Sequence, residues 1–217
     1  MCAAMTKAKI CGLTTADTVA AALDGGASYL GFNFFPKSPR YIAPDAAGRL
    51  AAPARARNVG VVAITVDPDD ETLDRIIAGL SPDFIQLHGE EAPARAAQIR
   101  ARTGIGVIKV ISVSDASDID RAGQYEPAVD HLMFDARPPK GSDLPGGMGA
   151  KFDWDILSGR RYARPHFLAG GLDPWNVAEA VNRSGAPVVD VSSGVERGAG
   201  LKDPALITAF LDAVKRA

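Results

Sequence analysis

The chain has 217 residues, 47% hydrophobic and 23% charged, the balance of one globular domain long enough to bury a full core. Its net charge is −2, with Lys and Arg spread along the chain, which argues against a basic groove for nucleic acid, and no apolar run nears the ~20 residues that span a bilayer. Two cysteines, Cys2 and Cys11, are too few for a disulfide scaffold, and the first seven residues lack the apolar centre of a signal peptide, so a reducing cytoplasm is expected.

Strand and helix patterns alternate throughout. Strands are predicted near 7–11, 29–34, 58–65, 83–87, 105–111, 130–135, 165–169 and 187–191. Helices are predicted near 15–25, 44–55, 69–79, 91–102, 115–123, 152–158, 174–183 and 203–216. Asp173-Pro174 and Asp203-Pro204 each read as an N-cap acid before a proline at the first helical position, and Asp67-Pro68 as a similar start. Residues 1–6 read as a ragged lead-in in which Met5 is an alternative start and Cys2 has no role. Eight β/α units in one domain, 1–217, predict a TIM (β/α)8 barrel. An open doubly wound sheet is the alternative, weakened because no GxGxxG turn follows the first strand.

Side-chain alternation supports the barrel. Ala8 and Ile10, then Leu30, Phe32 and Phe34, then Ile85 and Leu87, then Leu132 and Phe134 form an apolar set that should meet helices. The opposite set, with Lys9, Cys11, Asn33, Gln86, His88 and Asp135, places polar groups toward C-terminal strand ends, where barrel active sites lie. Cys11 is a small hydrophobe or a thiolate base, and Lys9 on its face would favour the thiolate. Asp135 caps a loop or acts as acid or base, with Lys109 as an expected neighbour. Arg40, in the proline-stiffened loop Phe35 to Tyr41, could fork onto a carboxylate. His88 stands alone at the mouth, since His131 and His166 sit at strand starts, so no metal site is expected.

Two turns near the C-terminus carry the strongest signal. Ala169-Gly170-Gly171-Leu172 and Asp190-Val191-Ser192-Ser193-Gly194 follow the last two strands, where a barrel holds phosphate on backbone N–H groups and hydroxyls. The long connection from Ala136 to Lys151, with Gly146-Gly147-Met148-Gly149, reads as a loop that closes over ligand.

Taken in order, Lys9-Ile10-Cys11-Gly12, Pro36-Lys37-Ser38-Pro39-Arg40, Gln86-Leu87-His88-Gly89, the 146–149 loop with Phe152-Asp153-Trp154, and the two turns with Val195-Glu196 resemble the phosphoribosylanthranilate isomerases of tryptophan biosynthesis over nearly the whole chain. The resemblance implies a cofactor-free, metal-free Amadori rearrangement of a phosphorylated small molecule, by a monomer or homodimer. It implies Cys11 as general base, Asp135 as general acid and Arg40 on the substrate carboxylate. It also implies phosphate contacts from Gly170, Gly171, Ser192, Ser193 and Gly194, with help from Gly147 and Gly149, and His88 at the mouth is expected to contact substrate. The chemistry would require Asp135 shifted up and Cys11 shifted down from their ordinary pKa values. Met148 stands where that family has a small hydroxyl residue, and Ala199-Gly200 where Pro-Gly often precedes Lys-Asp; only a local effect is expected from the second. A different phosphosugar isomerase or epimerase on the same barrel is the alternative enzyme: a metal-dependent pentose-phosphate epimerase would need convergent His and Asp ligands not evident here, and the related isomerase of histidine biosynthesis usually uses two aspartates where this chain has Cys11. A phosphometabolite sensor explains the turns but not the Cys11 and Asp135 pair.

Overall fold

Eight parallel strands close on themselves in chain order. They are β1 Lys7–Cys11, β2 Tyr29–Asn33, β3 Gly60–Thr65, β4 Phe84–Leu87, β5 Gly106–Val113, β6 His131–Ala136, β7 His166–Leu168 and β8 Val188–Val191. The structure, a computed structural model, describes residues 5–137, 141, 146, 147, 149 and 151–217. Helices pack outside: α1 Ala16–Asp24, α2 Pro44–Ala56, α3 Asp70–Leu80, α4 Pro93–Thr103, α5 Ala116–Asp120, α6 Val177–Ser184 and α7 Pro204–Lys215. This is the expected TIM barrel, and the open sheet is set aside, because β1 pairs with both β2 and β8. No described helix is long and apolar enough to cross a membrane.

Helix α7 shows how the outer layer forms. Asp203 accepts hydrogen bonds from Ala205 and Leu206 N–H, Pro204 starts the helix, and Ile207, Phe210, Leu211 and Val214 repeat on one buried face. Each such side chain stabilises the fold by roughly 1.5–3 kcal/mol on burial. The strand residues expected to face helices join this outer core, from Ala8 and Ile10 to Leu132 and Phe134. A separate cluster of Val62, Ile108, Val110, Met133, Phe167 and Val188 fills the lower barrel, which leaves the polar set above it to form the mouth.

Several expected elements differ. Between β6 and β7 the predicted helix is one 3-10 turn, Trp154–Leu157, which buries Trp154 and Leu157 and stops before Gly159, whose φ is +69°. The fifth helix shortens to α5 followed by a 3-10 turn, Arg121–Gln124. Asp173 caps a turn, accepting from Trp175 and Asn176 N–H, so α6 begins only at Val177. Asp69, not Asp67, caps α3. A hairpin absent from the sequence reading, β9 Glu196–Gly198 and β10 Leu201–Lys202, stands on the rim after β8. Cys2 and Met148 lie outside the described residues.

Candidate active site

Cys11, Arg40, His88 and Asp135 line one cavity at the C-terminal mouth, together with Gly146, Gly147 and Gly149 and the turns through Gly170, Gly171, Ser192 and Ser193. Barrel closure produces this convergence: residues near 11, 88, 135 and 192 end strands whose remote sequence positions become neighbours around the ring. Gly194 lies against the β7 turn, where a Cβ would come within 1.9 Å of the Leu172 carbonyl, so glycine is required for the two turns to meet.

Cys11 is buried on the inner set with Lys9 beneath it. Lys9 Nζ donates to Asp190 Oδ1 at 2.8 Å. Burial works against the Lys9 charge, but Asp190 and Cys11 outweigh it and hold Lys9 above its ordinary value. Burial pushes the Cys11 thiol up, with Lys9 and Lys202 opposing and Asp190 adding to the rise. This corrects the expectation of a lowered Cys11, since desolvation of the buried thiolate exceeds the help from the ammonium groups.

Asp135 sits across the mouth. Its Oδ2 is 3.2 Å from His88 Nε2, close but not aligned as a hydrogen bond. Gln86 Nε2 approaches His88 Nδ1 at 3.4 Å; with the amide donating, the neutral ring carries its proton on Nε2, the Asp135 side. Lys109 is not the neighbour expected. It lies on the helix-facing set with Val107 and Ile111, and bonds Glu91 Oε2 at 2.6 Å and the Gly89 carbonyl at 2.7 Å, tying down the loop after β4.

The glycine loop rests on these groups. A Cβ on Gly146 would be 2.5 Å from Asp135 Oδ2 and 2.7 Å from His88 Nε2, and one on Gly147 would be 2.8 Å from Arg40 Nη1. Arg40 is buried and engaged: Nε and Nη2 donate to the two Glu196 oxygens at 2.7 and 2.9 Å, and Nη2 also to the Gly147 carbonyl at 3.1 Å. Lys202 Nζ bonds Glu196 as well, and reaches Ser192 O at 3.0 Å and Ser192 Oγ at 3.2 Å. Ser192 Oγ donates to the Cys11 carbonyl at 3.3 Å, so this hydroxyl is committed to the barrel, whereas Ser193 Oγ has no partner among the described residues.

The model of the N-(5'phosphoribosyl)anthranilate (PRA) isomerase family matches residues 8–213. The chain belongs to the PRA isomerase family. It is 66% identical over 212 residues to N-(5'-phosphoribosyl)anthranilate isomerase of Caulobacter sp. strain K31, covering 98% of this chain and 100% of that one. The phosphoribosyl anthranilate isomerase structure from Thermotoga maritima superposes with a TM-score of 0.87 at 34% identity, over 98% of this chain and all of that one. A further PRA isomerase structure, a complex with reduced 1-(o-carboxyphenylamino)-1-deoxyribulose 5-phosphate, gives a TM-score of 0.83 at 32% identity, over 98% and 100% of the two chains. Glu196 and Lys202, which organise Arg40, received no role from sequence. Glu196 follows the β8 turn directly after Val195, yet nothing in a linear chain links it to an arginine 156 residues away.

Proposed function

We propose that this chain catalyses the Amadori rearrangement of N-(5'-phosphoribosyl)anthranilate, with Cys11 as general base and Asp135 as general acid. The observation that carries the reading is the convergence of Cys11, Asp135 and Arg40 with both glycine and serine turns on one cavity. The turn amides at Gly171, Ser193 and Gly194 would take the phosphate and Arg40 the anthranilate carboxylate, so both ends of the substrate are held and the sugar carbons lie between acid and base.

Asp135, in its neutral form, protonates the ribose ring oxygen as the C1–O bond breaks, leaving a protonated Schiff base. Cys11 thiolate removes the C2 proton, and the electron pair moves into the C1–C2 bond to give the enolamine, which tautomerises to the ketone. The iminium acts as electron sink, so the residues supply only proton transfer. A thiol with a raised pKa yields less thiolate, but each thiolate is a stronger base. The reading carries a cytoplasmic location with it, where a reducing environment keeps Cys11 a thiol.

The test follows anthranilate-type fluorescence after freshly formed phosphoribosylanthranilate is mixed with wild type, Cys11→Ala or Asp135→Asn. The wild type should consume the fluorescence, and each variant should lose at least about a hundredfold in turnover, the usual scale of acid–base catalysis, while still binding the reduced product analogue. Wild type no faster than the uncatalysed reaction would leave a phosphate-binding barrel instead.

A further inference from the structure

Arg40, Glu196 and Lys202 form one buried chain of charge. Their side chains are between 1 and 7% exposed. Both Glu196 oxygens are saturated: Oε1 accepts from Arg40 Nε and Lys202 Nζ, and Oε2 from Arg40 Nη2 and, at 3.2 Å, Gly200 N–H. The hairpin makes this possible, because Lys202 pairs opposite Glu196 across β9 and β10. Burial works against the Glu196 charge, but Arg40 and Lys202 hold its pKa below the ordinary value. Two cations against one anion leave a net charge of +1 on the network, which suits one incoming carboxylate.

The geometry also selects an edge. With Nε and Nη2 both taken, Nη1 is the arginine nitrogen without a partner among the described residues, and it lies against the Gly147 backbone at the cavity wall. An arginine free to turn would offer a carboxylate either two-pronged face. This one is locked to a single presentation.

We infer that Glu196 is a positioning residue for substrate, holding Arg40 so that Nη1 alone faces the aromatic carboxylate, with Lys202 anchoring Glu196 to the β8 turn. The chain Arg40, Glu196, Lys202, Ser192 and the Cys11 carbonyl then ties the carboxylate grip to the strand end that carries the thiol. The inference rests on the reading of Arg40 as the carboxylate site.

Two ligands separate the possibilities: the reduced product analogue, and the same molecule without its ring carboxylate. Their ratio of dissociation constants measures what the carboxylate contributes. Glu196→Asp keeps the charge but shortens the arm by one methylene, and should cut that ratio about tenfold, the scale of one charge-assisted hydrogen bond. Binding of the carboxylate-free ligand should stay within about twofold of wild type. Glu196→Gln keeps the length but sets an NH2 against N–H donors in place of one acceptor oxygen, so it breaks one prong of the Arg40 fork and should lower the ratio as well. A wild-type ratio in Glu196→Asp, or equal weakening of both ligands, would overturn the inference. So would a wild-type ratio in Glu196→Gln, because the positioning needs both acceptor oxygens. Arg40→Ala is the control: an unchanged ratio there would overturn the carboxylate reading itself. Should Glu196→Asp bind neither ligand, Lys202→Gln decides from the other end of the chain; it should lower the ratio in the same direction, and a wild-type ratio would overturn the inference.

Discussion

Burial holds the Cys11 thiol above its ordinary value, and the consequences for activity and stability have opposite signs. With the Cys11 thiolate as the proposed base, kcat/KM of the free enzyme should climb with pH through neutrality, with the midpoint of that limb above about 8.5, the free-thiol value. Stability follows the protonated form. The folded state binds this proton more tightly than the unfolded state, so the thiol's contribution is complete below the unfolded value and is lost as pH rises through the folded one. A pH series of kcat/KM, checked against the stability of wild type and Cys11→Ala over the same range, reads both. A limb centred below the ordinary thiol value would show that Lys9 and Lys202 outweigh burial. His88 sits between two polar partners: Gln86 Nε2 approaches its Nδ1 at 3.4 Å, and Asp135 Oδ2 lies 3.2 Å from its Nε2.

Among the elements, α2 and α3 approach closely at a pair of glycines. A Cβ on Gly48 would come within 2.0 Å of the Gly79 carbonyl. Replacing an exposed helical glycine by alanine ordinarily gains up to about 1 kcal/mol, but here the helices must separate, and Gly48→Ala should cost about 1–3 kcal/mol. Urea unfolding would show it as a lowered midpoint with turnover per folded molecule unchanged; a raised midpoint would mean the helices slide apart freely. That contact also marks what a sequence discloses. Periodicity made α7 legible through Ile207, Phe210, Leu211 and Val214, and strand alternation placed Cys11, His88 and Asp135 on the inner set without any knowledge of neighbours. The short turn at Trp154–Leu157 was misread because the apolar spacing of a helix is present without the length. Lys109 was misread because a buried cation on the helix-facing set breaks the alternation that identified the others. The grip of Glu196 on Arg40 depends on two loops from distant strands meeting over the mouth, and local pattern carries no trace of it.

For the molecule as a whole, closure rests on the seam between its first and last strands. Lys9 and Asp190 are register partners across β1 and β8, and their side chains pair at 2.8 Å inside the barrel. Each ion alone would cost several kcal/mol to desolvate, and the pair offsets that cost only while both members are present. Lys9→Met should therefore destabilise the barrel by about 3–5 kcal/mol, because it strands the Asp190 carboxylate in the interior. The double variant Lys9→Met with Asp190→Leu removes both charges and should recover most of the loss, within about 1–2 kcal/mol of wild type. Activity should not recover with it: the ammonium beneath Cys11 is gone, and the thiol should rise further from the working pH. Urea titration followed by tryptophan fluorescence, beside turnover, separates the two roles. Losses that simply add in the double variant would mean the pair is not a coupled unit, and full turnover with restored stability would confine Lys9 to closing the barrel.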